Sequence, residues 1–349
     1  MLVVLAILAL GVLVVVHESG HYFVARWSKM RVERFSIGFG PAILKWRSGE
    51  TQFQVAPVPF GGFVQITGMN PHEEFDEKDP LVYPNRPAIL RFLVILAGPA
   101  MNYVLAVAIM FVFYLVVGAA GDPSHTVIKT VMPGKPAVGV MQVGDRVLRV
   151  NGVDVNSTAK DGDLSALVQK TKDAPVVVTV ERAGKQLDLT LKPHFDPQGK
   201  TDDRPYKIGV ELDAEMVPVG VATAAGLAIT YPIEKTQFIL GLLGKMITGK
   251  EKPALSGPVG MVTEMKTQFA FGPERAFSMI AVLSVMLGLF NLLPVPGLDG
   301  GRLAFLGYEL ATRRRPNPKV EATVHMFGIL VLFIVLIAVT FQDISRLFG

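Results

Sequence analysis

Residues 2–21 read LVVLAILALGVLVVVHESGH, and this stretch decides how the rest of the chain is interpreted. The run before His17 is entirely apolar or glycine, as in a helix that crosses a bilayer. His17 and His21 are four residues apart, so on a helix they share one face. Neutral imidazoles at that spacing can hold Zn²⁺, and Glu18 can act on water beside it. Burying ionisable groups in the membrane costs free energy, so their presence there indicates a functional site. The alternative is that the His17–His21 motif lies at a helix end at the membrane interface.

The composition indicates a membrane protein with a soluble part. Half of the 349 residues are hydrophobic, and the mean hydropathy is +0.41. A net charge of only +4 gives no indication of a nucleic-acid partner. The chain has no cysteine, which excludes a disulfide framework and a cysteine-based metal site.

Four segments are predicted to span the membrane: residues 1–25, 89–118, 276–301 and 323–342. The first has no basic leading region, so we interpret it as a span and not as a signal peptide. Arg26 and Lys29 follow it at once, which places its end on the cytoplasmic side and the N-terminus outside. Residues 302–322 then form a basic cytoplasmic loop. Val217–Ile233 is a fifth candidate, but its prolines and glycines favour an amphipathic, interfacial helical region over residues 205–275.

Residues 121–195, between the second and third spans, predict a small α+β domain outside the membrane. Strands and one helix are separated by turn residues: Thr126–Val131, Arg146–Val150, Asp163–Lys172 (helix), Val176–Glu181 and Leu187–Leu191. Within it, the segment from Pro133 to Val155 resembles the bacterial form of the PDZ domain, whose members bind extended peptide ends by strand addition. The alternative is a small β-domain that only covers the membrane part.

A second constellation, NLLPVPGLDGG, occupies residues 291–301 at the end of the third span. Zinc held by two histidines needs a third protein ligand and an open position for water, and Asp299 is the candidate. In the four-span topology Asp299 and His17 fall in the same cytoplasmic half of the membrane. The alternative is that Asp299 caps a helix or turn before Gly300 and Gly301.

The combination resembles the site-2 protease family of intramembrane zinc metalloproteases, in particular its regulator-of-sigma-E type, here with a single PDZ domain. The resemblance rests on His17-Glu-Ser-Gly-His21, on Leu298-Asp299-Gly300 and on the domain between the second and third spans. It implies a polytopic α-helical membrane protein of about four transmembrane helices, with a membrane-associated β-hairpin region over residues 26–88 and an inserted extracytoplasmic PDZ domain. The segment AGPAMN at residues 97–102 is similar to the family's second-span entry, where small residues allow close helix packing.

The resemblance also implies residue roles. His17, His21 and Asp299 would hold Zn²⁺, and Glu18 would be the catalytic base. Substrate would be bound by the last residues of the third span and by the glycine-rich β-region, namely Asn291, Pro294, Gly38, Gly40, Gly61 and Gly62. For the β-region, ordinary turns of a small cytoplasmic sheet are the alternative.

The implied partners are the lipid bilayer and a single-span, anti-sigma-factor-like membrane protein whose ectodomain has already been cleaved. The implied location is the bacterial cytoplasmic (inner) membrane, with the N-terminus and PDZ domain outside. Two other classes stay open: a membrane-anchored PDZ adaptor with a non-catalytic zinc site, and a metal transporter. The remaining histidines show no ligand spacing and are not expected to bind the metal: His72, His125, His194 and His325.

Overall fold

The computed structural model describes residues 1–70, 73–76, 78–121, 126–156, 161–195, 205–250 and 257–348. His72 and His125 lie outside the described residues. Among those described, the α-helices are α1 (Leu2–Trp27), α2 (Ala88–Val116), α3 (Leu164–Thr171), α4 (Val221–Ile247), α5 (Pro258–Ala270), α6 (Pro273–Leu292), α7 (Asp299–Thr312) and α8 (Pro318–Phe348).

The strands lie between these helices. They are β1 (Val32–Phe39), β2 (Leu44–Ser48), β3 (Thr51–Val55), β4 (Val58–Ile66), β5 (Ala119–Ala120), β6 (Thr126–Val131), β7 (Arg146–Val150), β8 (Val153–Asp154), β9 (Val176–Arg182), β10 (Lys185–Leu191), β11 (His194–Phe195), β12 (Tyr206–Lys207), β13 (Val210–Ala214) and β14 (Met216–Val217).

The chain divides into two compact units, residues 1–113 with 222–349 and residues 114–221. The first unit contains helices long and apolar enough to cross a membrane; among the described residues α1, α2, α6 and α8 meet this description. Helix α4 is also long, but it does not reach that hydropathy, because glycine, proline and charged residues interrupt its apolar sequence.

The β-region after α1 is a four-stranded sheet in the order β2-β3-β1-β4. Strands β1 and β3 run parallel, whereas β1 and β4 are antiparallel with Ile37 opposite Gly62. The sheet packs on the last turns of α1 and the first turns of α2 through a small core that includes Ala25, Val32 and Val94. The sheet is therefore held beside the two helices that carry the histidine motif and the AGPAMN segment.

The third predicted span differs from the structure at its end. The prediction grouped residues 276–301 as the third span with the Asp299 motif at its end; in the structure α6 ends at Leu292 and a separate helix, α7, begins at Asp299. Two prolines, Pro294 and Pro296, lie in the connection; proline lacks an N–H and disfavours helix in the residue before it. The predicted loop at residues 302–322 is thus largely helical, because α7 continues to Thr312.

The second unit is built on a sheet in the order β10-β9-β7-β6-β13, covered by α3. Its core is a cluster of aliphatic side chains such as Val147, Val178 and Leu167, each almost fully buried. Strand β13 pairs with β6, so residues 210–214 belong to this sheet and not to the helical region predicted over 205–275. The pairing joins segments far apart in sequence, which local patterning does not reveal.

Candidate metal centre and active site

Three side chains predicted as metal ligands meet in the first unit. The Nε2 atom of His17 lies 3.0 Å from Oδ2 of Asp299, and Nε2 of His21 lies 3.3 Å from the same oxygen. The two Nε2 atoms are 3.3 Å apart. Both imidazoles are buried, and the aspartate is mostly so. Among the described residues, these three form the one group of such side chains close enough to share a metal ion.

The spacing of the three atoms fits a tetrahedral zinc site. With bonds of about 2.0–2.1 Å, ligand atoms around zinc lie about 3.3 Å from one another. Two nitrogen ligands and one carboxylate are a donor set that zinc accepts, and three protein ligands leave a position for water. The residues therefore fit the metal that the sequence predicted.

Glycines allow helices α1 and α2 to approach closely at the centre. A Cβ atom on Gly98 would overlap the imidazole of His21 and lie 2.9 Å from Nε2 of His17. A Cβ atom on Gly20 would overlap the carbonyl of Ala97. Small residues thus bring α2 directly against both rings, as is usual where helices pack inside membranes.

The second ring nitrogen of each histidine also faces α2. The Nδ1 atom of His21 donates to the carbonyl of Val94 at 2.8 Å, which leaves Nε2 as the lone-pair nitrogen. The Nδ1 atom of His17 lies 3.0 Å from the side-chain amide of Asn102, which is fully buried. Hydrogen bonds of this kind fix the orientation of a ligating imidazole.

Asp299 lies where the connection after α6 ends and α7 begins. It is the first residue of α7, and Leu298 precedes it as N-cap without a side-chain cap. A Cβ atom on Gly300 would overlap the carbonyl end of α6 at Leu293, so glycine lets α7 begin against that end. The side chain of Asp299 is directed to the histidines and does not cap the helix.

His325 of α8 holds the connection that precedes Asp299. Its Nδ1 accepts a hydrogen bond from the backbone N–H of Gly297 at 3.0 Å, and the ring is buried. Sequence reasoning did not assign this residue to the site. Its one signal was a polar ring in an apolar helix, and nothing in the spacing connected it to Asp299.

Glu18 lies between the ligands and the sheet. Its side chain lies beside Val64 of β4, and both residues line the same cavity. A Cβ atom on Gly62 would lie 3.4 Å from Cγ of Glu18 and 2.6 Å from the carbonyl of Ser36. Gly62 therefore lets β4 pass close to both β1 and the carboxylate.

A cavity of about 260 Å³ opens beside the three ligands. Glu18, Asn291 and Arg302 contribute polar groups to its wall, and Val64 and Leu298 contribute apolar ones. Asn291 lies in the last turn of α6, with its side-chain Nδ2 donating to the carbonyl of Leu287 at 3.0 Å. The cavity therefore leaves space beside the three ligand side chains, bordered by both polar and apolar groups.

The other predicted substrate residues lie outside the cavity wall. Pro294 is in the connection between α6 and α7. Gly38 has φ 88° at the register shift between β1 and β4, and a Cβ atom there would lie 2.7 Å from the carbonyl of Ala56. Gly40 follows β1, and Gly61, in β4, packs under the ring of Phe39. These glycines shape the strand pair next to the cavity.

Comparisons with known proteins show which family the chain belongs to. The family model described as Peptidase family M50 matches residues 5–335. A protein of Rickettsia conorii with the provisional name of zinc metalloprotease is 32% identical over 98% of both chains. A protein of Clostridium acetobutylicum with the same kind of name is 29% identical over 98% of this chain and 97% of its own. The regulator of sigma-W protease RasP of Bacillus subtilis is 28% identical over 99% of both chains. Since the match covers nearly the whole sequence, the chain belongs to peptidase family M50 and is a peptidase.

Proposed function

We propose that this chain is a zinc metalloendopeptidase that cleaves single-span membrane proteins within the bilayer. His17, His21 and Asp299 are its metal ligands, and Glu18 is its catalytic base. The observation that carries the proposal is the meeting of the three ligand atoms, within 4.8 Å of one another, on helices that include a candidate membrane span. The zinc metalloprotease names of the relatives support the choice of metal.

The bound metal and Glu18 would have different roles in the proposed reaction. When bound, zinc supplies a Lewis acid for the scissile carbonyl and lowers the pKa of a water ligand toward ~7. Glu18 accepts the proton of the attacking water and delivers it to the leaving amine. Its position beside the ligands, without a bond to them, suits a residue that moves a proton.

Strand β4 offers a way to hold the substrate in an extended form. A helical substrate has its amides bonded internally, so the scissile bond becomes accessible only after local unwinding. Within the described sheet β4 pairs on one side with β1, and its segment Phe63–Val64 lines the cavity. Addition of an unwound segment to β4 would replace the lost backbone hydrogen bonds. Asn291, Pro294 and the glycines Gly38, Gly40, Gly61 and Gly62 would shape this binding region.

The second unit would act as a PDZ domain. A cavity of about 680 Å³ lies between α3 and the edge strand β13, with Leu164 and Val168 on one wall and Val210 and Leu212 on the other. An extended peptide end could add to β13 there. We assign this unit to the outside of the cytoplasmic membrane, together with the N-terminus, because basic residues follow α1. In this position it would admit substrates whose ectodomain has been trimmed.

The substrate class we propose is an anti-sigma-factor-like protein with one span, cleaved after a first protease. The regulator name of RasP supports this choice. The test is cleavage of a trimmed single-span reporter by purified full-length protein in detergent, with bound zinc quantified. Wild type should cleave, Glu18→Gln should not, and both should hold about one zinc per chain.

The matched control is Glu264→Gln, which makes the same change at an exposed site on α5 and should cleave like wild type. Absence of zinc from wild type would overturn the ligand assignment. Equal cleavage by Glu18→Gln and wild type would remove Glu18 from the mechanism.

A further inference from the structure

Asn102 occupies an unusual position for an amide. It lies in the apolar helix α2, is fully excluded from solvent, and its side-chain nitrogen is 3.0 Å from Nδ1 of His17. The opposite nitrogen of the same ring, Nε2, faces Asp299 and His21. The amide therefore contacts Nδ1, the ring nitrogen of His17 that is not a proposed metal ligand.

The position of the proton on the His17 ring determines whether the oxygen or the nitrogen of the Asn102 side chain must face Nδ1. A neutral imidazole carries one proton, so a ring that offers the Nε2 lone pair to a cation carries its proton on Nδ1. That proton needs an acceptor, because a buried donor without a partner is costly. An amide nitrogen cannot accept it, whereas an amide oxygen can.

The oxygen of Asn102 is available for this role. Among the described residues, Oδ1 of Asn102 is buried and has no hydrogen-bond partner. The two ends of a side-chain amide have nearly the same shape, so a half-turn exchanges them without displacing neighbours. After that exchange Oδ1 accepts the Nδ1 proton of His17.

Asn102 is itself anchored where it stands. Its backbone carbonyl accepts a hydrogen bond from Oγ of Ser284 at 2.8 Å, and Ser284, on α6, is also fully buried. His21 shows the same pattern of support, since its Nδ1 donates to the carbonyl of Val94. Both rings would then be oriented by acceptors on α2.

We propose that Asn102 is a positioning residue for His17: its side-chain oxygen accepts the Nδ1 proton and so fixes the tautomer that presents Nε2 to the metal. The inference rests on the proposed zinc site. It adds to that site a second layer, in which the carbonyl of Val94 and the amide of Asn102 orient one histidine each. Partners of this kind tune metal affinity as well as geometry.

The test is the affinity of the purified full-length protein for zinc, measured by chelator competition, together with the visible absorption spectrum after Co²⁺ loading. Asn102→Leu keeps the approximate volume but removes the acceptor, and zinc should bind about 10–100-fold more weakly. Asn102→Asp keeps an acceptor at the same place and cannot donate as an amide does, so its affinity should stay within about threefold of wild type. The cobalt spectrum should change in Asn102→Leu and persist in Asn102→Asp.

Asn102→Asp tests the proposal even if Asn102→Leu folds poorly. If the amide donated to His17, Asn102→Asp would lose affinity as Asn102→Leu does, and that result overturns the proposal. Asn317→Leu is the control, because Asn317 is exposed and its Oδ1 caps α8 away from the site. Wild type without zinc would overturn the metal centre as a whole, whereas zinc-loaded wild type with an unchanged Asn102→Leu would overturn the role of Asn102 alone.

Discussion

Arg91 and Glu309 form an ion pair in which Nη2 and Oε1 are 2.6 Å apart, and about nine-tenths of each side chain is buried. The pair joins α2 to α7. Helix α2 contacts both candidate histidine ligands, and α7 begins with Asp299. The ion pair therefore connects α2, which contacts both histidines, to α7, which carries Asp299.

Removal of one partner of this pair should destabilise the protein. Glu309→Gln leaves Arg91 buried without its counter-charge, which costs about 3–5 kcal/mol. The double change Arg91→Met with Glu309→Met should recover much of the loss, because both charges are then absent. Thermal unfolding in detergent measures both. Glu264→Gln, at an exposed position, should change stability by less than about 0.5 kcal/mol; equal melting of the two glutamine variants would contradict the role of the pair.

Gly98→Ala should disrupt the metal centre. The added Cβ would overlap the ring of His21 and press on His17, and a displacement of about 1 Å at an active site can cost about 100-fold in rate. Cleavage of the reporter and bound zinc are the measurements, and both should fall. Gly307→Ala in α7 is the matched control, since its Cβ would meet open space. Zinc content and cleavage at wild-type levels in Gly98→Ala would show that α2 can move away from the rings.

His325 should support Asp299 through Gly297. His325→Leu removes the acceptor for the Gly297 N–H and should weaken zinc binding about tenfold, because the turn before Asp299 loses its restraint. His325→Asn offers an oxygen near the position of Nδ1 and should retain most of the affinity. Chelator competition compares the two variants. Identical affinities for leucine and asparagine would argue that packing of the ring, and not its hydrogen bond, holds the turn.

The second unit should lose stability at acid pH through Asp145. Burial alone would raise the pKa of Asp145, but the two hydrogen bonds from Arg182, at 2.6 and 2.7 Å, help to hold this pKa below its ordinary value. A lowered folded-state pKa means that the stabilisation is complete well above the unfolded pKa of about 3.9. It is lost as the pH falls through the folded-state pKa.

Hydrogen exchange in strand β9 of the full-length protein measures this effect. Asp145→Asn should speed exchange of β9 amides relative to wild type at pH 7, and the difference should shrink toward pH 3. Asp188→Asn on the neighbouring strand, where Oδ1 accepts from Thr179, is the control, since no described arginine pairs with Asp188. A difference between Asp145→Asn and wild type that stays constant from pH 7 to pH 3 would refute the electrostatic origin.

Local pattern was sufficient for much of this structure. The spacing of His17 and His21 placed both rings on one helix face, and α1, α2, α6 and α8 followed from unbroken hydropathy. Strands such as β6 and β9 were recognisable because turn residues bound them on both sides. These features depend on neighbours in sequence, which is the information that periodicity carries.

Other features depend on residues far apart in sequence. Strand β13 pairs with β6 across most of the second unit, and no local signal marks residues 210–214 as part of that sheet. Asn102 and His325 are polar residues with mainly apolar neighbours in their helices, so only the fold reveals which groups they face. Pro294 and Pro296 mark the end of α6 in the sequence, but Gly300 and Gly301 give no sign of the helix α7 that begins at Asp299.

The contacts of α2 with both histidines have a consequence for how the site responds to disturbance. Both rings stand on α1 and are held from α2 by Val94 and Asn102, so a movement of this helix pair relative to α7 displaces the two rings together. The distance between their Nε2 atoms is then preserved while their distance to Asp299 changes. A change in bilayer thickness that alters helix tilt would therefore change the distance between the Asp299 carboxylate and the two imidazoles.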